Sequence, residues 1–102
     1  MKAINYQLED FMFESTPKII EILVIRVKEL RKKKKITQED FAAHIGMSYG
    51  TYKKFETSSK VSLEGFINIC RGLDKMEDIF ELLKPDTVEE VGIRTYKKQN
   101  DL

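Results

Sequence analysis

Residues 36–56, ITQEDFAAHIGMSYGTYKKFE, decide the fold of this chain. Their apolar residues recur at the spacing of two short helices that each bury one face, with a tight turn between them. The apolar positions are Phe41, Ala42, Ile45, Met47, Tyr52 and Phe55. The outward positions are Gln38, Tyr49, Lys53 and Lys54. This pattern predicts a helix-turn-helix, in which the second helix enters the major groove of DNA.

Capping residues within this stretch support the same division. Thr37 can accept a hydrogen bond from the free backbone amides of a first helix, and Asp40 stands where a capping box has its acidic residue. Gly46 tolerates the positive φ at which helices often end, and Ser48 can cap the helix that follows. A pair of alanines in the first helix is small enough to let the second helix cross closely over it.

These residues resemble the Cro/CI-type (XRE) helix-turn-helix regulators. The matching positions are Thr37-Gln38-Glu39, Phe41-Ala42, Gly46-Met47-Ser48, Tyr52 and Phe55-Glu56. The similarity extends over roughly residues 15–83. It implies an all-α, five-helix repressor-like DNA-binding domain with short N- and C-terminal extensions. An ordinary helical hairpin with a basic face is the alternative interpretation.

Length and composition fit one domain. With 102 residues, of which 41% are hydrophobic and 34% charged, the chain is expected to fold around one modest core. The patterns divide it into an N-terminal arm (1–16), a helix-turn-helix domain (17–84) and a C-terminal tail (85–102). Pro17 and Pro85 mark the two boundaries, because proline favours the start of a helix and prevents its continuation.

Charge is distributed unevenly along the chain, although the formal net charge is only +1. Residues 28–60 carry nine basic and four acidic side chains, whereas residues 61–92 carry three and eight. The basic segment coincides with the predicted motif. A molecule divided in this way can present one face to phosphates and keep the other for a protein partner.

Several other classes of protein are disfavoured. Cys70 is the only cysteine and His44 the only histidine, so we expect no disulfide, metal site or cofactor. No paired-carboxylate, Ser/His/Asp or phosphate-loop spacing occurs, which argues against an enzyme. The apolar run at residues 19–27 is too short for a membrane span, and acidic residues before it argue against a secretory signal. We therefore expect a cytoplasmic protein.

Helices are predicted on both sides of the motif. Thr16-Pro17 starts a first helix, with the threonine as cap, that runs to about Lys34. Its buried stripe is expected to comprise Ile20, Leu23, Val24, Val27 and Leu30. Ser62 can cap a fourth helix that closes at Gly72. The expected inward residues of that helix are Leu63, Phe66, Ile67, Ile69 and Cys70. A fifth helix before Pro85 would contain Met76, Ile79, Phe80, Leu82 and Leu83.

The two ends of the chain allow more than one interpretation. Residues 4–8 alternate apolar and polar as in a short strand, but a helical turn fits as well. The apolar residues 11–13 can pack either on the domain's own core or on a second subunit. Residues 87–90 predict another helical turn. Residues 93–97 alternate like a strand, with disorder as the alternative.

The resemblance implies which residues contact double-stranded DNA. Tyr49 is the best single candidate to contact a base, and Lys54, one helical turn later on the same face, is the second. All expected base-contact residues are Ser48, Tyr49, Gly50 and Lys54. Gly50 stands where the family usually has a polar residue, so one side chain that could contact a base is missing. The expected phosphate contacts are Gln38, Lys34, Lys35, Thr51, Lys53 and Lys60.

Other residues of the motif receive structural roles. Tyr52 and Phe55 occupy positions that the family buries, so we expect them in the core. Glu56 is expected to face away from DNA or to neutralise a nearby cation. The basic run at residues 31–35 is expected to end the first helix, where cations are favoured, with Lys34 and Lys35 also meeting phosphates.

Together these features predict a sequence-specific transcriptional regulator that binds DNA as a homodimer. A narrower resemblance, to HipB-like antitoxins, runs through four short segments, which are Ser15-Thr16-Pro17-Lys18, Ser48-x-Gly50-Thr51, Phe55-Glu56 and Val61-Ser62-Leu63-Glu64. It implies a protein that represses its own operon and binds a HipA-like kinase toxin. The rival hypothesis is a protein-interaction module that has lost DNA binding and uses residues 4–13 and the acidic face.

Overall fold

The computed structural model of the chain describes residues 6–86, and this range forms six α-helices without a strand. They are α1 (Leu8–Met12), α2 (Thr16–Lys33), α3 (Gln38–His44), α4 (Tyr49–Ser58), α5 (Leu63–Gly72) and α6 (Met76–Glu81). The all-α prediction is confirmed, and α2–α6 are the five helices of the predicted domain. The strand interpretation of residues 4–8 is wrong at Leu8, which begins α1. The patterns at residues 87–90 and 93–97 lie outside the described residues.

Serine and threonine side chains set where most helices begin. The hydroxyls of Thr37, Ser48 and Ser62 each accept a hydrogen bond from the backbone amide three residues later, at 2.9–3.1 Å. Each of these predicted caps is confirmed. For α2 the cap is Ser15, whose Oγ accepts from the amide of Lys18 at 3.3 Å. Thr16 was the expected cap, but it is already the first residue of the helix. The serine before it has the extended conformation that a cap requires.

The turn between α3 and α4 uses the one described glycine with positive φ. Gly46 has φ +71°, as predicted for a helix end. The amides of Ile45 and Gly46 bond back to carbonyls of α3, and the amide of Met47 donates to the carbonyl of Ala42 at 2.9 Å. This turn directs α4 across α3.

Two aromatic side chains occupy the centre of the core. Phe41 of α3 and Tyr52 of α4 are fully buried, and their rings meet edge to face with centroids 5.2 Å apart. The other buried members of the cluster are Val24, Val27, Ala42, Phe55, Ile69 and Leu73. The core therefore lies between the C-terminal half of α2, the motif and α5.

Gly72 stands at the point where α5 approaches the motif most closely. A Cβ atom built on it would lie 2.5 Å from Cγ2 of Ile45 and 3.0 Å from Cε1 of Phe41. Gly72 ends α5 as predicted, but Leu73 caps the helix without a left-handed residue, and the first positive φ is at Asp74. Glycine is therefore required here for close packing and not for backbone conformation.

Some residues expected in the core are exposed. Ile20 is 38% exposed, whereas Ile22 is fully buried. Leu63 is 76% exposed because it is the first residue of α5, and Leu83 is 92% exposed beyond the end of α6. Phe80 and Leu82 are also exposed. A helical period predicts which residues share a face, but it does not predict whether another element covers that face.

We predict that Gly72→Ala destabilises the domain. The added methyl group meets two side chains that are held by the core, and overpacking of this kind costs about 1–3 kcal/mol. Urea denaturation followed by circular dichroism measures the change. Arg71→Ala, at the preceding exposed position, is the control and should leave stability nearly unchanged. A Gly72→Ala protein as stable as the wild type would contradict the close contact.

Candidate nucleic-acid interface

Helix α4 has one buried face and one exposed face. Tyr52, Phe55 and Glu56 are buried against α2 and α3. The residues on the other side are exposed, namely Ser48, Tyr49, Gly50, Thr51, Lys53, Lys54, Thr57 and Ser58. Ala42 of α3 is 1% exposed, and its small side chain allows α4 to pack closely. The outward face therefore contains every base-contact residue that the sequence predicted.

The exposed face of α4 divides into two adjacent stripes. The ammonium of Lys53 lies over the ring of Tyr49, 5.6 Å from its centroid, as expected for residues four apart on a helix. Lys54 follows Tyr49 by five residues and is therefore rotated from it by about 140°. Lys54 shares its stripe with Gly50, so it lies on the exposed side of α4 but not, as expected, one helical turn directly after Tyr49.

Ser48 and Thr51 bind to each other at the start of α4. Ser48 Oγ accepts from the amide of Thr51 at 3.1 Å and donates its own proton to Thr51 Oγ1 at 2.8 Å. The hydroxyl proton of Ser48 is thus engaged within the protein. Thr51 keeps its hydroxyl proton, so it can donate to an external acceptor.

Glu56 is the centre of a buried polar network that the sequence did not predict. Its side chain is 2% exposed, and it accepts hydrogen bonds from Arg31, through Nε at 2.9 Å and Nη2 at 3.3 Å. Gln38 Nε2 donates to Oε1 at 2.7 Å, and the hydroxyl of Tyr52 donates to Oε2. The expectation that Glu56 neutralises a nearby cation is correct, but the pair is inside the protein.

Arg31 connects this network to the loop before α3. Its Nη1 donates to the carbonyl of Ile36 at 2.7 Å, while its other nitrogens hold Glu56. The guanidinium therefore links α2, the start of α3 and the end of α4. Spacing gave one signal for it, since Arg31 follows Val27 by four residues on the buried stripe of α2. The spacing thus predicts that Arg31 lies on the buried face of α2, but it does not predict that Glu56 is its partner.

The network shifts the pKa values of its three titratable members, Arg31, Tyr52 and Glu56, in the direction that favours the charged pair. Burial alone raises the pKa of Glu56, but hydrogen bonds from Arg31, Tyr52 and Gln38 outweigh it and hold the pKa below its ordinary value of 4.5. The hydrogen bond to Glu56 raises the pKa of Arg31. Burial, and then the hydrogen bond to Glu56, raises the pKa of Tyr52. Glu56 therefore stays ionised and Tyr52 stays protonated at neutral pH.

The network also holds Gln38, which the sequence predicted to clamp a phosphate. Gln38 is half-buried and is the first residue of α3. One amide proton is used on Glu56, so a second amide proton and the carbonyl oxygen remain for other partners. Its side chain is thus fixed at the same place where the N-terminal backbone amides of α3 begin.

The lysines before and after the motif have different surroundings. Lys34 Nζ pairs with Asp74 Oδ2 at 2.9 Å, and this hydrogen bond lowers the pKa of Asp74. Lys35 is exposed and has φ 60°, and Lys60 is exposed after Ser59, which has φ 65°. These lysines and those of α4 belong to the basic segment at residues 28–60.

The fold and this outward helix define a DNA-binding helix-turn-helix domain. A family model described as helix-turn-helix matches residues 27–79, which is just over half of the chain. The chain belongs to that family, in its Cro/CI (XRE) type, and is a DNA-binding regulator. Comparisons with curated proteins and with solved structures gave no match.

Two negative findings apply to residues 6–86. Histidine, cysteine, aspartate and glutamate side chains in this range form no group of three or more that could hold a metal ion. Each helix in the same range is too short or too polar to span a lipid bilayer.

We predict that Glu56→Gln and Arg31→Met each destabilise the protein by about 3–5 kcal/mol, because each leaves a buried charge without its partner. Urea denaturation measures the loss. Glu21→Gln is the matched control, since it breaks the exposed pair between Lys18 and Glu21 and should change stability by less than about 1 kcal/mol. Equal effects of the buried and exposed changes would contradict the network.

We also predict that the contribution of Glu56 depends on pH. Because folding lowers the pKa of this carboxylate, its stabilisation is fully present above the ordinary value of 4.5 and is lost as pH falls through the folded pKa. The difference in the free energy of unfolding between wild type and Glu56→Gln should therefore be constant near neutral pH and become smaller in acid. Denaturation curves at a series of pH values test this. A difference that grows in acid would mean that the pKa is raised.

Proposed function

We propose that this protein is a sequence-specific, repressor-like transcriptional regulator whose helix α4 lies in the major groove of DNA. The observation that carries the proposal is the contrast between the two faces of α4. One face is held rigidly by the aromatic core and by Glu56, and the other is exposed and carries Tyr49 and two lysines. A rigid helix with a basic outer face is what major-groove binding requires.

Base recognition is assigned to α4 from its cap, Ser48, to Lys54. Tyr49 can offer its hydroxyl to a base edge or its ring to a thymine methyl, and Lys54 can donate to guanine. Ser48 and Gly50 complete the predicted base contacts. Because the hydroxyl proton of Ser48 is engaged with Thr51, Ser48 contributes as an acceptor through its oxygen. Few side chains are then left to read bases.

Phosphate contacts are assigned to residues around the motif. They are Gln38, Lys34, Lys35, Thr51, Lys53 and Lys60. Lys34 must leave Asp74 to contact a phosphate, but exposed ion pairs contribute little to stability, so this pair is easily given up. Such contacts fix the register of the protein on DNA and make its affinity dependent on salt.

We further propose that the regulator binds as a homodimer. One helix of ten residues reads only a few base pairs, whereas a two-fold dimer on a palindromic operator doubles the contact. Analytical ultracentrifugation with and without DNA tests this. Two protomers on one duplex with half-sites one helical turn apart is the expected result, and a single bound protomer on such a site would contradict it.

Substitutions on the outer face of α4 test the assignment. Tyr49→Ala and Lys54→Ala should each weaken binding to the native upstream DNA by about 1–3 kcal/mol and relax base preference, without loss of stability. Lys60→Ala should weaken binding to all sequences alike and reduce the salt dependence by about one unit of slope. Fluorescence anisotropy over a salt series measures both effects.

The control for these variants is Lys84→Ala, which removes a cation after α6 whose contacts are an exposed pair with Glu81 and the ring of Phe80. It should bind like the wild type. Unchanged binding of Tyr49→Ala and Lys54→Ala would refute the assignment of α4 as the recognition helix.

A second candidate function is supported by the exposed face of α1. Leu8 is 70%, Met12 61% and Phe13 83% exposed, beside the acidic residues Glu9 and Asp10. An apolar surface of this kind is typical of a protein-binding site. The partner proposed for this surface is a HipA-like kinase toxin, and the protein would then be an antitoxin that represses its own operon. If the protein did not bind DNA, it would be a protein-interaction module alone.

Co-expression with the product of the neighbouring gene separates these alternatives. An antitoxin should form a complex with a HipA-like kinase that survives high salt and is lost in a Leu8→Ala, Met12→Ala double variant. The same variant should still bind DNA, since α1 lies outside the motif. Failure to bind such a kinase would leave a regulator without a toxin partner.

A further inference from the structure

Three of the four glycines in residues 6–86 are required by the fold. Gly46 has φ +71°. A Cβ on Gly65 would lie 2.8 Å from Cγ2 of Val61, and a Cβ on Gly72 would lie 2.5 Å from Cγ2 of Ile45. Each of these positions would be strained by any other residue, either in the backbone or by contact with a neighbour.

Gly50 is different, because nothing in the protein's own structure requires it. Its φ is not positive, and a Cβ built on it would meet no atom within 4 Å. Glycine is also less favourable than alanine in a helix, since its backbone loses more conformational freedom on folding. The fold would therefore accept, and gain from, a larger residue at this place.

The position of Gly50 indicates what could require a glycine there. It is the second residue of α4, between Tyr49 and Thr51, and it lies on the outward face one turn before Lys54. Glycine is used where a backbone must approach a ligand closely. On this face the ligand of the proposed function is DNA.

We propose that Gly50 is the point of closest approach between α4 and the major groove, and that the space left by its missing side chain receives the methyl group of a thymine. This inference rests on the proposed function. The surface at Gly50 is a bare Cα without a hydrogen-bonding side chain, next to the ring of Tyr49 around the helix. The thymine C5-methyl is the apolar group that the major groove presents. Gly50 thereby contributes to specificity, because only a position without a side chain leaves room for the thymine methyl group.

The test compares Gly50→Ala with wild type on duplexes that wild type selects from a random library. We expect Gly50→Ala to raise Tm by roughly 2–8 °C, because it improves α4. We expect it to bind the selected duplex at least tenfold more weakly, with the same salt dependence, because the new methyl group displaces the base. Lys84→Ala, after α6 and away from the motif, is again the control and should not change affinity.

Replacement of single thymines by uracil tests the ligand, since it removes only the methyl group. At one position this change should weaken wild-type binding about fourfold, as expected for the loss of one buried methyl group. It should have no further effect on Gly50→Ala. Full affinity of Gly50→Ala, or insensitivity of wild type to every uracil, would overturn the inference while leaving DNA binding intact. Wild type that selects no duplex would overturn the proposed function as well.

Discussion

The carboxylate of Glu56 is the group on which the motif depends, because it is buried and charged at the point where three helices meet. Arg31 reaches it from α2, Gln38 from α3 and Tyr52 from α4. A buried charge is tolerated only when it is paired and fully hydrogen-bonded, so all three donors must be in place at once. The aromatic contact between Phe41 and Tyr52 packs α3 against α4, but apolar packing is not directional. The hydrogen bonds of the polar network are directional, and they constrain the orientation of one helix relative to the other.

One consequence concerns the basic segment at residues 28–60. Arg31 and Glu56 neutralise each other inside the protein, and Lys34 is paired with Asp74 at the surface. The positive charge that faces solvent around the motif therefore comes from lysines, such as Lys35 and Lys60 on the two loops. Lysine is a flexible point charge, suited to phosphates more than to geometric recognition. In the proposed function, the residues that contact phosphates are thus different from those that read the bases.

Local features of this fold were predictable and long-range ones were not. The caps at Thr37, Ser48 and Ser62 and the turn at Gly46 depend on a few neighbouring residues, so the sequence contains them directly. The network around Glu56 joins residues 25 positions apart, and spacing alone gives no distance between them. The same limit explains the residues wrongly expected in the core at the ends of helices, which have the right period but no covering element. For the candidate site, the outward face was predicted from the sequence, but the hydrogen bond that engages the hydroxyl proton of Ser48 was not.

The two faces of α4 impose opposite demands on one short helix. Its inner face is fixed by Tyr52 and Glu56, so the helix cannot rotate to bring other side chains to DNA. Its outer face offers one ring, at Tyr49, and an open surface at Gly50. A recognition helix with few reading groups gains selectivity by fitting closely, because a rigid backbone converts a small change in groove shape into a clash or a gap. Under the proposal for Gly50, rigidity on the inner face is what allows a position without a side chain on the outer face to discriminate between bases.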